Sequence, residues 1–203
     1  GDMLDTALLF VHAGHVLDLT TARLLASLAN ECADTWRQDD CGIWELPERR
    51  HYTHSKMACW VTLDIAVRLA EDGHIEKTWV NRWTRERDRV SAWIEEHCWS
   101  EKKQAYTFYA GSDHLDAAMC LAWYYGSKVN PDRMKSTYDA IYEELGHHSP
   151  MLYRYSDVEK EESTFVACSF WLVEAWARLD DTQKASEYME TILGSLCDQG
   201  NVE

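Results

Sequence analysis

The chain has 203 residues, enough for one sizeable core, and 46% of them are apolar with only three prolines and nine glycines, which sets disorder aside. Twenty basic against 35 acidic side chains leave a formal charge of −15. Nucleic acid and anionic membrane surfaces are bound through Lys and Arg, so neither suits this chain, whereas a neutral carbohydrate meets no such penalty.

Apolar residues recur at a helical period along nearly the whole sequence. The segment "MLDTALLFVHAG" (3–14) predicts a first helix stopped at Gly14, and "TTARLLASLANECADTW" (20–36) a second with Leu24, Leu28 and Cys32 on one face. A third runs over "THSKMACWVTLDIAVRLAEDG" (53–73), and a long amphipathic fourth over "TWVNRWTRERDRVSAWIEEHCW" (78–99). The fifth, "SDHLDAAMCLAWYYG" (112–126), opens on a Ser-Asp cap; the sixth, 130–146, has Pro131 at the favoured first position. Segments 163–180 and 182–197 close the series, giving about eight helices, with short strands considered only at 104–109 and 151–155.

The connections are of two kinds. Those at 14–19 and 180–182 are short, while those at 37–52, 99–111 and 146–162 are long, aromatic and charged. Long loops in compact domains are mostly functional. Their place at alternate junctions predicts an all-α fold of antiparallel hairpins with the long loops gathered at one end. That is the layout of an (α/α) toroid, taken as a single domain over 1–203, although an open helical solenoid gives the same pattern.

Seven scattered cysteines without a CxxC, and no signal-peptide pattern, predict a reduced cytoplasmic protein whose thiols mostly act as small apolar groups. No apolar run approaches a membrane span. The first residues already read as helix, so the chain is expected to be a piece of a longer domain.

Two loops hold candidate chemistry. In "CGIWELPERRHYTHSK" the carboxyl of Glu45 follows Trp44; an indole that excludes water disfavours ionisation and would keep a proton ready for general acid catalysis. The same position also suits a solvated loop carboxylate. In "MLYRYSDVEKEESTFVACSFW" (151–171), Arg154 lies between two tyrosines and Glu161–Glu162 precede an apolar helix. Acidic residues there can simply answer the helix dipole, yet a carboxylate kept ionised also suits a base that activates water. One protonated and one ionised carboxyl, about 6.5–9.5 Å apart, are what inverting cleavage of a glycosidic bond needs. Ten tryptophans fit sugar stacking, although Trp60, Trp93, Trp123 and Trp171 lie on helices as core residues would.

Taken in order, "GIWE", "HYTHSKMACWVTLDIAVRLAE", "YAGSDHLDAAMCLAWYYG", "LYRY" and "EESTFVACSFWLVEAWARL" resemble glycoside hydrolase family 15, closest to its intracellular glucoamylase-like and trehalase-like branch. The resemblance spans essentially the whole chain. It implies an (α/α)6 toroid and inverting hydrolysis of α-glucosides, with Glu45 as general acid and Glu162 or Glu161 as base. It further places Arg154, Trp44 and Ile43 around the sugar, with His54 and Lys56 as lesser contributors. No cofactor is implied; His51 and His54 lack a third metal ligand. Leu46 stands where secreted fungal relatives carry a second glutamate. Eight helices fall short of the twelve in a full toroid, so a shortened domain with exposed helix faces, prone to self-association, is expected. Two other readings stay open: a non-catalytic carbohydrate-binding toroid and a helical protein-interaction scaffold.

Overall fold

The computed structural model describes residues 2–147, 149–160 and 162–199. It gathers into two compact units, Gly1–Glu96 and His97–Glu203. Eight α-helices, three short 3-10 helices and one two-stranded ladder account for the regular structure among the described residues.

In the first unit, α1 (Asp2–His12) and α2 (Leu19–Thr35) both pack on α3 (Thr53–Glu71). A helix buried on most sides must be apolar on most sides, and α3 is: Met57, Leu63, Ile65, Ala66, Leu69 and Ala70 are fully buried. The buried face of α2 is Leu25, Ala26, Ala29 and Ala33, one position round from the predicted Leu24 stripe, and Leu24 is 49% exposed. The small alanine side chains let α2 lie close to α3, and that contact outweighs the larger leucines in choosing the face. Asp18 caps α2 by accepting from the amides of Thr20 and Thr21. After a single 3-10 turn at Lys77–Trp79, α4 (Val80–His97) buries Trp83, Val90 and Ile94, and Trp83 Nε1 donates to Asn30 Oδ1 at 2.9 Å.

The second unit opens on the antiparallel pair β1 (Trp99–Ser100) and β2 (Ala105–Tyr106). The fifth predicted helix starts later than its sequence suggests. Residues Ala117–Ala122 form a 3-10 stretch that runs into α5 (Trp123–Val129), and the cap is Asp116, which accepts from Ala118 N–H. Asp113 instead accepts from Ser100 Oγ at 2.6 Å, drawn away by the ladder's turn. Next come α6 (Pro131–Leu145), α7 (Val166–Arg178) and α8 (Thr182–Gln199). Helix α7 packs on both α8 and the 3-10 stretch, and α6 on α5 and β2. Gly126 permits the α5–α6 contact, because a Cβ there would lie 2.5 Å from Met134 Cγ.

Two crossing segments of this unit place its loop residues. Ala117 N–H donates to Arg154 O at 2.8 Å, Leu115 N–H to Ser156 Oγ at 2.7 Å, and Leu152 N–H to Ser169 Oγ at 2.9 Å. The piece considered as a strand at 151–155 thus contributes one isolated bridge, Tyr155 with Asp116.

Candidate active site

The Glu45 loop is built on Asp40. Its backbone pairs with Arg50 in both directions at 2.9 Å, closing the loop's neck. Its Oδ1 accepts from Gly42 N–H at 2.8 Å and Ser55 Oγ at 2.7 Å, while Oδ2 meets Lys56 Nζ at 3.3 Å. The Lys56 ammonium, on a side chain only 3% exposed, also donates to Gln38 O at 2.5 Å. A buried charge needs such partners to offset its lost hydration. Lys56 therefore ties the loop to α3, and its ammonium is occupied by the loop's own acceptors.

Within this frame, Gly42 to Glu45 form a tight turn closed by Glu45 N–H to Gly42 O at 3.2 Å, with Leu46 N–H reaching Cys41 O at 2.9 Å. Gly42 has φ +66°, and a Cβ there would stand 3.0 Å from the Tyr52 ring, so glycine fits the position on both counts. Glu45 has φ +51°, in the left-handed region that an ordinary side chain enters at a cost of about 1–2 kcal/mol. Its side chain is exposed, Trp44 is half-buried, and Ile43 is 40% exposed. The water-poor wall expected from Trp44 is thus not supplied around Glu45 by its own unit, because the carboxylate ends a turn at the loop surface. His54 is half-buried in the first turn of α3.

Beneath the loop is a cavity of about 250 Å³ lined by Trp36, Arg37, His51, Lys56 and Trp93. The His51 ring meets Trp93 edge-on at 5.4 Å, and its buried Nδ1 has no hydrogen-bond partner among the described residues. Arg37 lies over the Trp36 ring at 4.3 Å and bonds Glu86 at 2.7 Å. Glu86 also accepts from Trp36 Nε1 and Arg89. Burial pushes the Glu86 carboxyl up, but these donors outweigh it and hold it down at about 2. Asp40, Trp36, Arg37 and Glu86 did not stand out in the sequence. The signal available was an acidic residue two positions before the loop's first glycine.

In the second unit, Arg154 and Glu162 form a bidentate pair, Nε to Oε1 and Nη2 to Oε2. The guanidinium lies 5.5 Å from the centroid of the Tyr155 ring, which itself stacks on Phe108 at 4.9 Å. The hydrogen bond to Glu162 pushes Arg154 above its usual range. Helix α7 begins at Val166, with Phe165 as its cap residue, so Glu162 stands outside the helix's first turn. Its partner is Arg154 rather than free helix amides, contrary to the position expected at the helix start. Glu161 lies outside the described residues. A cavity of about 770 Å³ in this unit is lined by Lys103, Asp113, His114, Glu144 and Asp157 among others, and its lining includes neither Arg154 nor Glu162. Among the described residues no three His, Cys, Asp or Glu side chains gather as a metal site, and no helix is long and apolar enough to cross a membrane.

Residues 1–196 match the profile described as Glycosyl hydrolases family 15. The chain belongs to that family. Among relatives of this family-15 chain, the trehalase of Mycobacterium tuberculosis is 32% identical over 201 residues, covering 95% of this chain and 29% of the relative. Trehalase 2 of Sulfolobus acidocaldarius is 27% identical over 173 residues, covering 82% of this chain and 29% of the relative. A wild-type glycosidase structure superimposes with a TM-score of 0.79 at 17% identity, over 98% of this chain and 52% of that one. A glycosidase in complex with glucose gives 0.78 at 16%, over 93% and 50%. The fold class of the family-15 chain is accordingly all-α, of the (α/α) toroid type. The chain spans about half of those solved glycosidases and less than a third of the curated trehalases.

Proposed function

We propose that this chain carries part of the catalytic site of an inverting α-glucosidase whose substrate class includes trehalose. The observation that carries the reading is Glu45: a carboxylate in a left-handed backbone conformation, at the end of a turn fixed by Asp40, Gly42 and Lys56. Strain held in place by so many neighbours concentrates at working sites. The trehalases among the relatives suggest the substrate class.

In this mechanism Glu45 gives its proton to the departing glycosidic oxygen, while a second carboxylate deprotonates a water on the opposite face of the sugar. Glu162, with Glu161 beside it, is the candidate for that second role. Arg154, oriented by Glu162 over Tyr155, donates to sugar hydroxyls; Trp44 and Ile43 flank the acid, with His54 and Lys56 as lesser contributors. A second reading, a sugar-binding chain without turnover, has its own support. Both Glu162 oxygens already accept from Arg154, an arrangement suited to fixing a guanidinium.

The purified chain is incubated with trehalose and with maltose, and the anomers of released glucose are followed by proton NMR. From trehalose, equal amounts of β- and α-glucose are expected first, because the attacked glucose inverts while the departing one keeps its α configuration, and E45Q should abolish release while keeping sugar binding. Initial release of α-glucose alone from trehalose, or full turnover by E45Q, overturns the mechanism. Sugar binding by the unsubstituted chain with no glucose released favours the second reading for this chain.

A further inference from the structure

The cavity of about 770 Å³ in the second unit has no part in the chemistry of Glu45, Arg154 or Glu162. Its walls come from the turn between β1 and β2, from helix α6 and from the segment 153–157. Glu144 of α6 braces all three. One of its oxygens accepts from Ser156 Oγ and the other from Lys103 Nζ. Ser156 Oγ in turn accepts from Leu115 N–H at 2.7 Å, so this hydroxyl is satisfied as donor and as acceptor. Tyr153 N–H donates to Leu145 O at 3.0 Å, and Ser156 N–H to Leu115 O at 3.1 Å. Hydrogen bonds to ionised groups are the stronger kind, and here they fix the position of the walls.

The charges select the occupant. Asp113, Glu143, Glu144 and Asp157 line the cavity against Lys102 and Lys103, so an anion meets net repulsion. Three of those carboxylates already face a basic group: Lys102 Nζ is 3.4 Å from Asp113, Lys103 pairs with Glu144, and His114 Nδ1 is 3.6 Å from Asp157. A cation would have to displace them, and no three His, Cys, Asp or Glu side chains gather as a metal site among the described residues. Two polar groups of the lining stay open. The Glu143 carboxylate and the Tyr153 hydroxyl make no hydrogen bond among the described residues. A hydroxyl both donates and accepts, so a polyol answers ammonium and carboxylate alike without bringing charge of its own. The volume lies within the range of about 300–1,000 Å³ that small-molecule sites occupy.

We propose that this cavity is a separate saccharide site, which takes a neutral mono- or disaccharide and holds it through Glu143 and Tyr153. Glu143 accepts from one sugar hydroxyl, and the Tyr153 hydroxyl donates to another or accepts from it. Lys102, at the exposed end of the lining, is free to turn toward the ligand, whereas Lys103 and Glu144 stay paired as the frame. Neither Arg154 nor Glu162 lines the cavity, and binding here does not depend on turnover at Glu45.

D-Glucose, which hydrolysis cannot consume, is titrated into the isotopically labelled chain while amide chemical shifts are followed by NMR. Saturable shifts are expected at Lys103, Glu144, Tyr153 and Ser156. Y153F removes a single oxygen and should weaken this binding roughly three- to tenfold, as the loss of one neutral hydrogen bond does. A140W places an indole in the cavity from α6 and should abolish these shifts, with circular dichroism reporting its fold. If A140W does not fold, Y153F decides. No saturable shift at these residues, full affinity in Y153F or in folded A140W, or saturation there by inorganic phosphate in place of glucose overturns the proposal. Shifts confined to Glu45 or Glu162 belong to the proposed active site and overturn it equally, while leaving the hydrolase reading in place.

Discussion

Glu45 combines an exposed carboxylate with a left-handed backbone, as Asp157 and Asp180 also do. Glycine adopts that conformation without the clash between Cβ and the following carbonyl. E45G should therefore stabilise the chain by about 1 kcal/mol in denaturant titrations, since it relieves a strain of that order. E45Q keeps the strain and should leave stability unchanged. A destabilised E45G would show that the backbone is at ease there and would remove the main support for the catalytic reading. Glu45 itself was legible in the sequence from its neighbours Gly42, Ile43 and Trp44, a local pattern. Its conformation was not, because the turn that carries it is held at Gly42 by the Asp40 carboxyl and the Tyr52 ring, which lie outside the turn. Glu162 was legible as an acidic residue beside an apolar helix, but its bond to Arg154 joins positions whose distance the sequence leaves open.

Among the elements, α2, α4 and the start of the Glu45 loop meet at Glu86. Its folded carboxyl near 2, against an ordinary value of 4.5, means that the native state prefers the ionised form. The stabilisation is full above pH 4.5 and is lost as pH falls toward 2, because protonation then costs the native state its bonds to Arg37 and Trp36. The linkage amounts to about 3 kcal/mol. E86Q should be less stable at neutral pH and show a flatter decline through that acid window, measured by urea midpoints across pH. An unchanged acid slope would rule Glu86 out as its source. The helices themselves were largely readable, since 3.6-residue periodicity is a local property. The exceptions have tertiary causes: α2 turned toward its alanines to approach α3, and the fifth helix lost its first turn when Asp113 was taken by Ser100.

At the scale of the whole molecule, the order of several motifs identified the family, and eight helices against the twelve of a full toroid pointed to relatives longer than this chain. The excess of 35 acidic over 20 basic side chains makes the few buried cations conspicuous. Lys56 is the clearest, with a side chain 3% exposed, whereas Lys102 and Lys160 are 76% and 73% exposed. An amine fastened in this way cannot meet an acylating reagent until Gln38 and Asp40 let it go. Acetic anhydride footprinting should accordingly modify Lys102 and Lys160 at once and Lys56 last, its rate tracking how often the hinge of the acid loop opens. Equal labelling of all three would mean that the latch is open most of the time. The same shielding makes Lys56 a built-in gauge of local breathing, one that needs no fluorophore and no substrate to be read.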